Sequence, residues 1–341
     1  MKHEILIRGQ QQVPCLFFFG DSVLENGNNN NLLTLAKTNY PPYGIDYPGG
    51  LATGRSTNGL NLADFLAQLL GFANPIPPFV TATGSDILRG VNYASAGAGI
   101  LDETGANLGE RISLNQQLRN HEATIGRVVS LLGNQTAADG YLGQCLYVVC
   151  IGSDDYVNNY YFPLSPSRVL YTPVGFAEKL IRMFSQQLRD LYSYGARKVA
   201  VFGLGTIGCV PAALRGAMYG PQCLTATKAT SGVFNDKLKS LVDVLNKDLV
   251  GAKFTFIDTF GITVSDPSSN GFQVPNLPCC MMSMGGMCVP LGVSCSDRAN
   301  FAYFDGFHPT EAAAMIVAKR AFKAQSPSDA YPSDIQHLSK A

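Results

Sequence analysis

The chain contains 341 residues, of which 46% are hydrophobic and 15% are charged. This length and apolar content suffice for a large buried core, and they exclude a disulfide-held mini-protein and a disordered chain. The 25 basic and 25 acidic residues cancel, so nothing marks a surface for nucleic acid. No apolar run reaches the roughly 18 residues of a membrane-spanning helix.

Short apolar segments alternate with amphipathic ones along the chain. Strands are predicted, in chain order, at residues 14–19, 91–94, 145–151, 198–202 and 254–257. Helices are predicted at residues 60–70, 176–194, 233–250 and 310–322, from apolar residues that recur on one face. The clearer strands show no polar–apolar alternation, which indicates that helices cover both faces of a parallel sheet. We therefore expect an α/β fold whose ligand site lies at the carboxyl ends of the strands.

The loop after the first predicted strand contains a candidate nucleophile. Ser22 follows Gly20 and Asp21 directly after that strand, so it lies at the edge of the sheet where ligands bind. On this local pattern alone, a helix cap explains Asp21 and Ser22 better than catalysis does. A serine nucleophile also needs a general base, which is usually histidine.

His308 is the histidine that best fits the role of base. His3 and His337 lie in polar terminal segments, and His121 lies in a charged stretch that predicts a surface helix. Asp305 stands three residues before His308, where a short turn brings its carboxylate to the second imidazole nitrogen and fixes the tautomer. Taken alone, this segment is better explained as a loop with a capping aspartate and a solvated histidine.

Acyl transfer also requires hydrogen-bond donors for an oxyanion, and two loops with glycine offer them. Residues 95–99 follow the second predicted strand, and residues 152–156 follow the third. Either loop is alternatively a tight turn that needs glycine for its backbone. The chain contains no Gly-x-Ser-x-Gly elbow; in the nearest match, residues 93–97, tyrosine stands in place of the first glycine.

Taken in order, these residues resemble the conserved blocks of the SGNH hydrolase superfamily, in its plant GDSL esterase/lipase branch. The matching blocks are Gly20-Asp21-Ser22-Val23, with valine in place of leucine, then Gly97, Gly152-Ser153-Asp154-Asp155 and Asp305-Gly306-Phe307-His308. Further matches lie at residues 54–59, 92–95, 194–198, 208–211 and 308–312. The resemblance extends over residues 13–335.

The resemblance implies a flavodoxin-like three-layer sandwich, with a central parallel sheet of about five strands. It implies that Ser22 is the nucleophile, His308 the base and Asp305 the residue that orients the base. The backbone N–H groups of Ser22 and Gly97 would line the oxyanion hole. The implied substrate is a small-molecule ester or lipid, with no cofactor and no metal. An acyltransferase with the same residues is the near alternative, because an alcohol then intercepts the acyl-enzyme in place of water.

One position departs from the family pattern. The third block has asparagine where this chain has Asp154, and an ionised carboxylate has no proton to donate to an oxyanion. Losing one such donor costs about 100- to 1,000-fold in rate in well-studied enzymes. Three outcomes stay open. Burial or the neighbouring Asp155 keeps Asp154 protonated, the chain is a weak esterase, or it has become a ligand-binding or defence-related homologue.

The cysteines suggest an oxidising compartment. Of nine cysteines, Cys279, Cys280, Cys288 and Cys295 crowd into a Gly/Met/Pro-rich stretch, where disulfides are expected in a pairing that the sequence leaves open. The odd number leaves at least one thiol free. Three further cysteines lie in apolar runs and are predicted to be ordinary core residues: Cys15, Cys145 and Cys150.

The two termini set the predicted domain limits. Residues 1–12 lack the apolar centre of a signal peptide, and they are interpreted as the remnant or replacement of a leader. Residues 13–335 are predicted to form a single hydrolase domain, with residues 336–341 as a tail. The resemblance implies an extracellular location, and an intracellular one is the alternative.

Overall fold

The computed structural model describes residues 10–163, 165–215, 225, 228–264 and 271–341. Within these ranges the strands, in chain order, are β1 Leu16–Gly20, β2 Leu146–Cys150, β3 Lys198–Phe202, β4 Lys253–Ile257, β5 Val274–Pro278, β6 Phe301–Tyr303 and β7 Ala330–Tyr331. The α-helices are α1 Leu62–Leu69, α2 Leu114–Leu132, α3 Gln135–Leu142, α4 Ser153–Asp155, α5 Pro166–Leu170, α6 Pro173–Ser193, α7 Pro211–Arg215, α8 Val233–Asp248, α9 Thr259–Val264, α10 Glu311–Phe322 and α11 Ile335–Ser339.

Five strands form the main sheet in the order β1-β2-β3-β4-β7. The first four are parallel, and β7 pairs antiparallel with β4. Residues 91–94 do not form the full strand that was predicted. They run beside β1 through hydrogen bonds from Phe18 N–H to Val91 O and from Tyr93 N–H to Phe18 O. The chain therefore leaves β1 towards this edge and later returns to β1's other side at β2, which places a ligand crevice at the carboxyl ends of β1 and β2.

Each face of the sheet packs against its own core. Phe17, Tyr147 and Val199 lie on the face covered by α2, α6 and α8. Phe18 and Val148 lie on the other face, which is covered by α1, α10 and α11. Burial on both faces explains why the strand sequences do not alternate. The prediction of a three-layer α/β fold around a mainly parallel sheet is confirmed.

The predicted helices at residues 60–70, 176–194, 233–250 and 310–322 correspond to α1, α6, α8 and α10, with ends shifted by at most three residues. Sequence analysis missed α2 as a helix with a buried face. The buried side of α2 includes Gln117, His121 and Thr124 beside its leucines, so its apolar pattern is interrupted.

The prediction that His121 lies on the surface is wrong. Its side chain is fully buried, it packs edge-on against Phe17 and Phe19, and Nδ1 lies 3.1 Å from Tyr93 Oη. Burial lowers the pKa of the imidazole to about 3. His121 is therefore a neutral member of the aromatic core, and its charged sequence neighbours occupy the exposed sides of the same helix.

Disulfides join Cys279 to Cys295 and Cys280 to Cys288, which confirms that this stretch is cross-linked. Cys15 and Cys145 are buried but also paired with each other, so the prediction that they are ordinary core residues is wrong. The register that places Leu16 opposite Leu146 brings the two preceding cysteines together. Among the described residues, Cys150 carries the free thiol. Cys223 and residues 1–9 lie outside the described ranges.

The last residues of the chain are packed. Residues 335–339 form α11, whose Leu338 is buried, and Lys198 Nζ donates to the Ser339 carbonyl over 2.9 Å. In the described ranges, no helix combines the length and the apolar character required to cross a bilayer.

Candidate active site

Ser22, His308 and Asp305 form a hydrogen-bonded row at the carboxyl edge of the sheet. Ser22 follows β1, and the other two lie in the turn between β6 and α10. His308 Nε2 lies 2.8 Å from Ser22 Oγ, and His308 Nδ1 lies 2.8 Å from Asp305 Oδ2. In this order of groups an imidazole can take a proton from the hydroxyl while the carboxylate holds its other nitrogen.

Asp305 begins a turn, and backbone N–H groups of that turn hold the Asp305 carboxylate in place. Asp305 is fully buried, and its Oδ1 accepts hydrogen bonds from the N–H groups of Phe307 and His308, both at 2.8 Å. Both carboxylate oxygens face the imidazole, with Nδ1 at 2.8 Å from Oδ2 and 3.0 Å from Oδ1. Burial lowers the pKa of His308, but the charge and hydrogen bond of Asp305, together with the charges of Asp154 and Asp21, raise it, and the net shift is upward.

A second Asp-x-x-His pair has the same spacing but a different setting. His337 Nδ1 lies 2.6 Å from Asp334 Oδ1, at the start of α11. The His337 side chain is 73% exposed. The Asp-x-x-His spacing alone therefore does not distinguish the two pairs. Their position does, because only Asp305 and His308 lie next to Ser22 at the carboxyl edge of the sheet.

The backbone before Ser22 is held from two sides. A Cβ on Gly20 would lie 2.1 Å from the Cys150 carbonyl oxygen, so β1 and β2 approach this closely only with glycine there. On the other side, Gln117 of α2 accepts from Gly20 N–H and donates to Gly20 O, both at 2.8 Å. The role of Gln117 was not predicted from the sequence; the available signal was a polar residue on the helix face that also carries Leu114 and Leu118.

Gly97 lies in the loop after residues 91–94, with φ at +80°, a conformation that favours glycine. Side-chain amides hold the backbone of this loop: Asn28 Nδ2 donates to Ala94 O, and Asn29 Nδ2 donates to Ala96 O. Both asparagines are buried. The asparagine-rich segment after Ser22 therefore fixes the Gly97 loop, a role that sequence analysis did not predict.

Asp154 lines the same cavity as Ser22 and Gly97. Its Oδ1 accepts a hydrogen bond from Asn158 Nδ2, and an interaction with the Gly97 backbone N–H weakly lowers its pKa against the effect of burial. Burial raises the pKa of Asp154, and burial together with the charge of Asp154 raises that of Asp21. An ionised Asp154 would thus compete with an oxyanion for the Gly97 N–H.

Asp155 has a separate task. It is fully buried, and its carboxylate accepts from Ile100 N–H at 2.8 Å, Leu101 N–H at 3.1 Å and Thr104 Oγ1 at 2.6 Å. These bonds anchor the chain that follows Gly97. Burial is the main cause of the raised pKa of Asp154, so the suggested influence of Asp155 is not needed to explain it.

Ser22 and His308 line a cavity of about 860 Å³. Its walls are mainly apolar and include Ile207, Ile262 and Val317. A neighbouring cavity of about 530 Å³ shares Val157, Ile207, Val210 and Phe307 with it. Mostly apolar walls around a few convergent polar groups suit a small molecule with a large apolar part.

The family model described as GDSL-like lipase/acylhydrolase matches residues 16–321, which include the whole row and the Gly97 and Asp154 loops. The chain belongs to this family. A GDSL esterase/lipase of Arabidopsis thaliana is 48% identical, over 98% of this chain and 93% of the relative's length. A second GDSL esterase/lipase of the same plant is 45% identical, over 95% of this chain and 92% of its own length.

Membership of the GDSL family makes the protein a carboxylic ester hydrolase. The resemblance stated from the sequence is confirmed over nearly its full extent. Asp154 lies within the region that the family model matches.

Proposed function

We propose that this GDSL hydrolase cleaves esters of lipid-like or acylated small molecules through an acyl-enzyme on Ser22. The single observation that carries the proposal is the row from Ser22 Oγ through His308 to Asp305, with two contacts of 2.8 Å. His308 Nε2 takes the hydroxyl proton while Oγ attacks the ester carbonyl carbon. Asp305 accepts from Nδ1–H and stabilises the imidazolium that forms.

The imidazole of His308 accepts and returns a proton in each of the two half-reactions. His308 passes its proton to the leaving alcohol oxygen as the ester C–O bond breaks and the acyl group stays on Ser22. Water then attacks the acyl carbon, with His308 again accepting the proton. Transfer of that proton to Ser22 Oγ releases the acid and restores the enzyme.

We assign the backbone N–H groups of Ser22 and Gly97 to the oxyanion hole. Both residues line the cavity, and the asparagine contacts keep the Gly97 backbone in place before substrate arrives. Such preorganised donors stabilise charge that develops in the transition state. Asp154 takes the third position, where its carboxyl group donates only in its protonated form.

Replacing Asp154 with asparagine is expected to raise kcat for short p-nitrophenyl esters about 10- to 100-fold at neutral pH. The amide adds a donor, and it removes the carboxylate that competes for the Gly97 N–H. Asp154→Ala is the matched control, because it removes the charge without adding a donor and should gain less. An already high wild-type rate that Asp154→Asn leaves unchanged would show that Asp154 is no handicap.

A catalytically weakened ligand-binding or defence-related homologue is the second candidate, and Asp154 is the observation that favours it. That candidate requires a wild type with negligible turnover that still binds apolar ligands in the cavity. It is supported if Asp154→Asn alone restores ester hydrolysis, and it is overturned if the wild type turns over esters efficiently.

An acyltransferase with the same residues is separated from a hydrolase by product analysis. The enzyme is incubated with a p-nitrophenyl ester and increasing amounts of an alcohol such as glycerol, and the acid and new ester are quantified. We expect free acid to be the main product. New ester in excess of acid at low alcohol concentration would contradict hydrolysis and favour transfer.

The apolar cavity walls support a substrate with a hydrophobic acyl or alcohol part. We also propose an extracellular location, which the disulfides of Cys15, Cys279 and Cys280 support, because disulfides persist mainly in oxidising compartments. The domain proposal is residues 13–335, and the packed α11 argues for including residues up to Ser339.

A further inference from the structure

Tyr43 contacts the carboxylate of Asp305 at the oxygen that also faces the imidazole of His308. The Tyr43 side chain is 1% exposed, and its Oη lies 2.6 Å from Asp305 Oδ2, the oxygen that also faces His308 Nδ1. The phenol oxygen in turn accepts the backbone N–H of Cys288 at 3.0 Å. Because a carboxylate oxygen accepts and the phenol oxygen already receives an N–H, the phenol O–H points at Asp305.

We propose that Tyr43 is a positioning residue for the catalytic row: its O–H orients the Asp305 carboxylate and draws off part of the charge that faces His308. This inference rests on the proposed function of Ser22, His308 and Asp305. It extends the row to Cys288 N–H, Tyr43, Asp305, His308 and Ser22, each joined to the next by a hydrogen bond of 3.0 Å or less.

The disulfide-rich segment holds Tyr43 and Asp305 in one frame. Cys288 is cross-linked to Cys280, and Cys280 N–H donates at 2.9 Å to the carbonyl of Phe304, the residue before Asp305. The segment that contacts the phenol is therefore fastened to the chain that bears the carboxylate. Burial and the charge of Asp305 raise the pKa of Tyr43 well above its usual value, which keeps the phenol protonated and able to donate.

The carboxyl groups around His308 set its pKa, which is the quantity that the acid limb of a pH–rate profile reports. Asp305, Asp154 and Asp21 face His308 and all raise its pKa. Tyr43 faces Asp305 and Tyr40. Among these contacts, the phenol of Tyr43 is the one that donates to the Asp305 oxygen next to His308 Nδ1, so removing it changes one interaction of that carboxylate.

Tyr43→Phe keeps the ring but removes both the O–H that donates to Asp305 and the oxygen that accepts from Cys288 N–H. We expect kcat to fall about 10-fold, the loss of one hydrogen bond to a charged group, with KM nearly unchanged. The acid limb of kcat/KM should move to higher pH by about half a unit or more. The reason is that the full charge of Asp305 then faces the imidazolium and favours the protonated, inactive form of His308.

Tyr40→Phe is the matched control for the shift of the acid limb of kcat/KM. Tyr40 packs edge-on against Tyr43, and its phenol donates to the Cys288 carbonyl at 3.0 Å and not to Asp305. This variant removes a neighbouring phenol from the same segment, so it should leave the position of the acid limb unchanged. An equal shift in both variants would contradict a specific role for Tyr43.

A double-mutant cycle separates positioning from general structure. In the Asp305→Ala background, Tyr43→Phe should have no further effect on kcat, because its target is gone. An undiminished 10-fold loss there, or an unmoved acid limb in Tyr43→Phe alone, would overturn the inference. Failure of the proposed function itself would show elsewhere, as full activity in Ser22→Ala.

Discussion

Replacing Ser22 by alanine is expected to lower kcat for p-nitrophenyl ester hydrolysis by about 10⁶-fold, the loss found when the nucleophile of a serine hydrolase is removed. The change deletes the Oγ that lies 2.8 Å from His308 Nε2. It keeps the backbone N–H that we assign to the oxyanion hole, so KM should change little. Residual hydrolysis then comes from substrate binding and the remaining donors.

Ser95→Ala is the control for this loss. Ser95 is the serine of the segment that partly matches a Gly-x-Ser-x-Gly elbow, but it is fully buried and donates to Asn29 Oδ1 at 2.6 Å. We expect it to lose thermal stability and less than about 10-fold in kcat. Equal hydrolysis by wild type and Ser22→Ala, measured on proteins of equal melting temperature, would refute the assignment of Ser22.

Replacing Asp305 by asparagine is expected to lower kcat about 10⁴-fold. The N–H groups of Phe307 and His308 both donate to Oδ1, so the amide oxygen of asparagine must take that place. Its NH₂ then occupies the Oδ2 position, where it donates to His308 Nδ1 and deprives the Tyr43 O–H of its acceptor. The imidazole is forced to carry its proton on Nε2, where it can no longer accept the proton of Ser22.

Asp334→Asn is the matched control, because Asp334 and His337 form an Asp-x-x-His pair remote from the cavity lining. It should leave kcat within about twofold while costing about 1 kcal/mol of stability, because Asp334 Oδ2 also accepts from Ala324 N–H and an amide nitrogen cannot accept there. A pH–rate profile checks the mechanism: the acid limb of the wild type should lie above the ordinary imidazole pKa, because the net shift of His308 is upward. Retention of a tenth of wild-type kcat in Asp305→Asn would contradict this account.

The sequence predicted the sheet because its strands are buried on both faces and therefore read as continuous apolar runs. It predicted the placement of Ser22, Gly97 and Asp154 because each follows such a run, and the carboxyl ends of parallel strands meet at one edge. The strand predicted at residues 91–94 is only partly confirmed, because too few of its backbone groups pair with β1 to make a strand.

The missed residues act across long distances in the chain. Gln117 contacts a residue 97 positions away, and Tyr43 contacts one 262 positions away, so no local spacing reveals either role. His121 was placed on the surface because its neighbours are charged, although its own side of the helix faces the aromatic core. Buried polar residues of this kind are decided by tertiary contacts, which the linear pattern does not contain.

The central claim is that Ser22 is a nucleophile activated by His308, and covalent labelling tests it most directly. The purified protein is treated with a serine-reactive fluorophosphonate, digested and mapped by mass spectrometry. The account predicts one adduct, on the peptide that contains Ser22, which is absent in Ser22→Ala and forms far more slowly in Asp305→Asn. An adduct on another serine such as Ser95 or Ser153, or ester hydrolysis without any serine adduct, would contradict it.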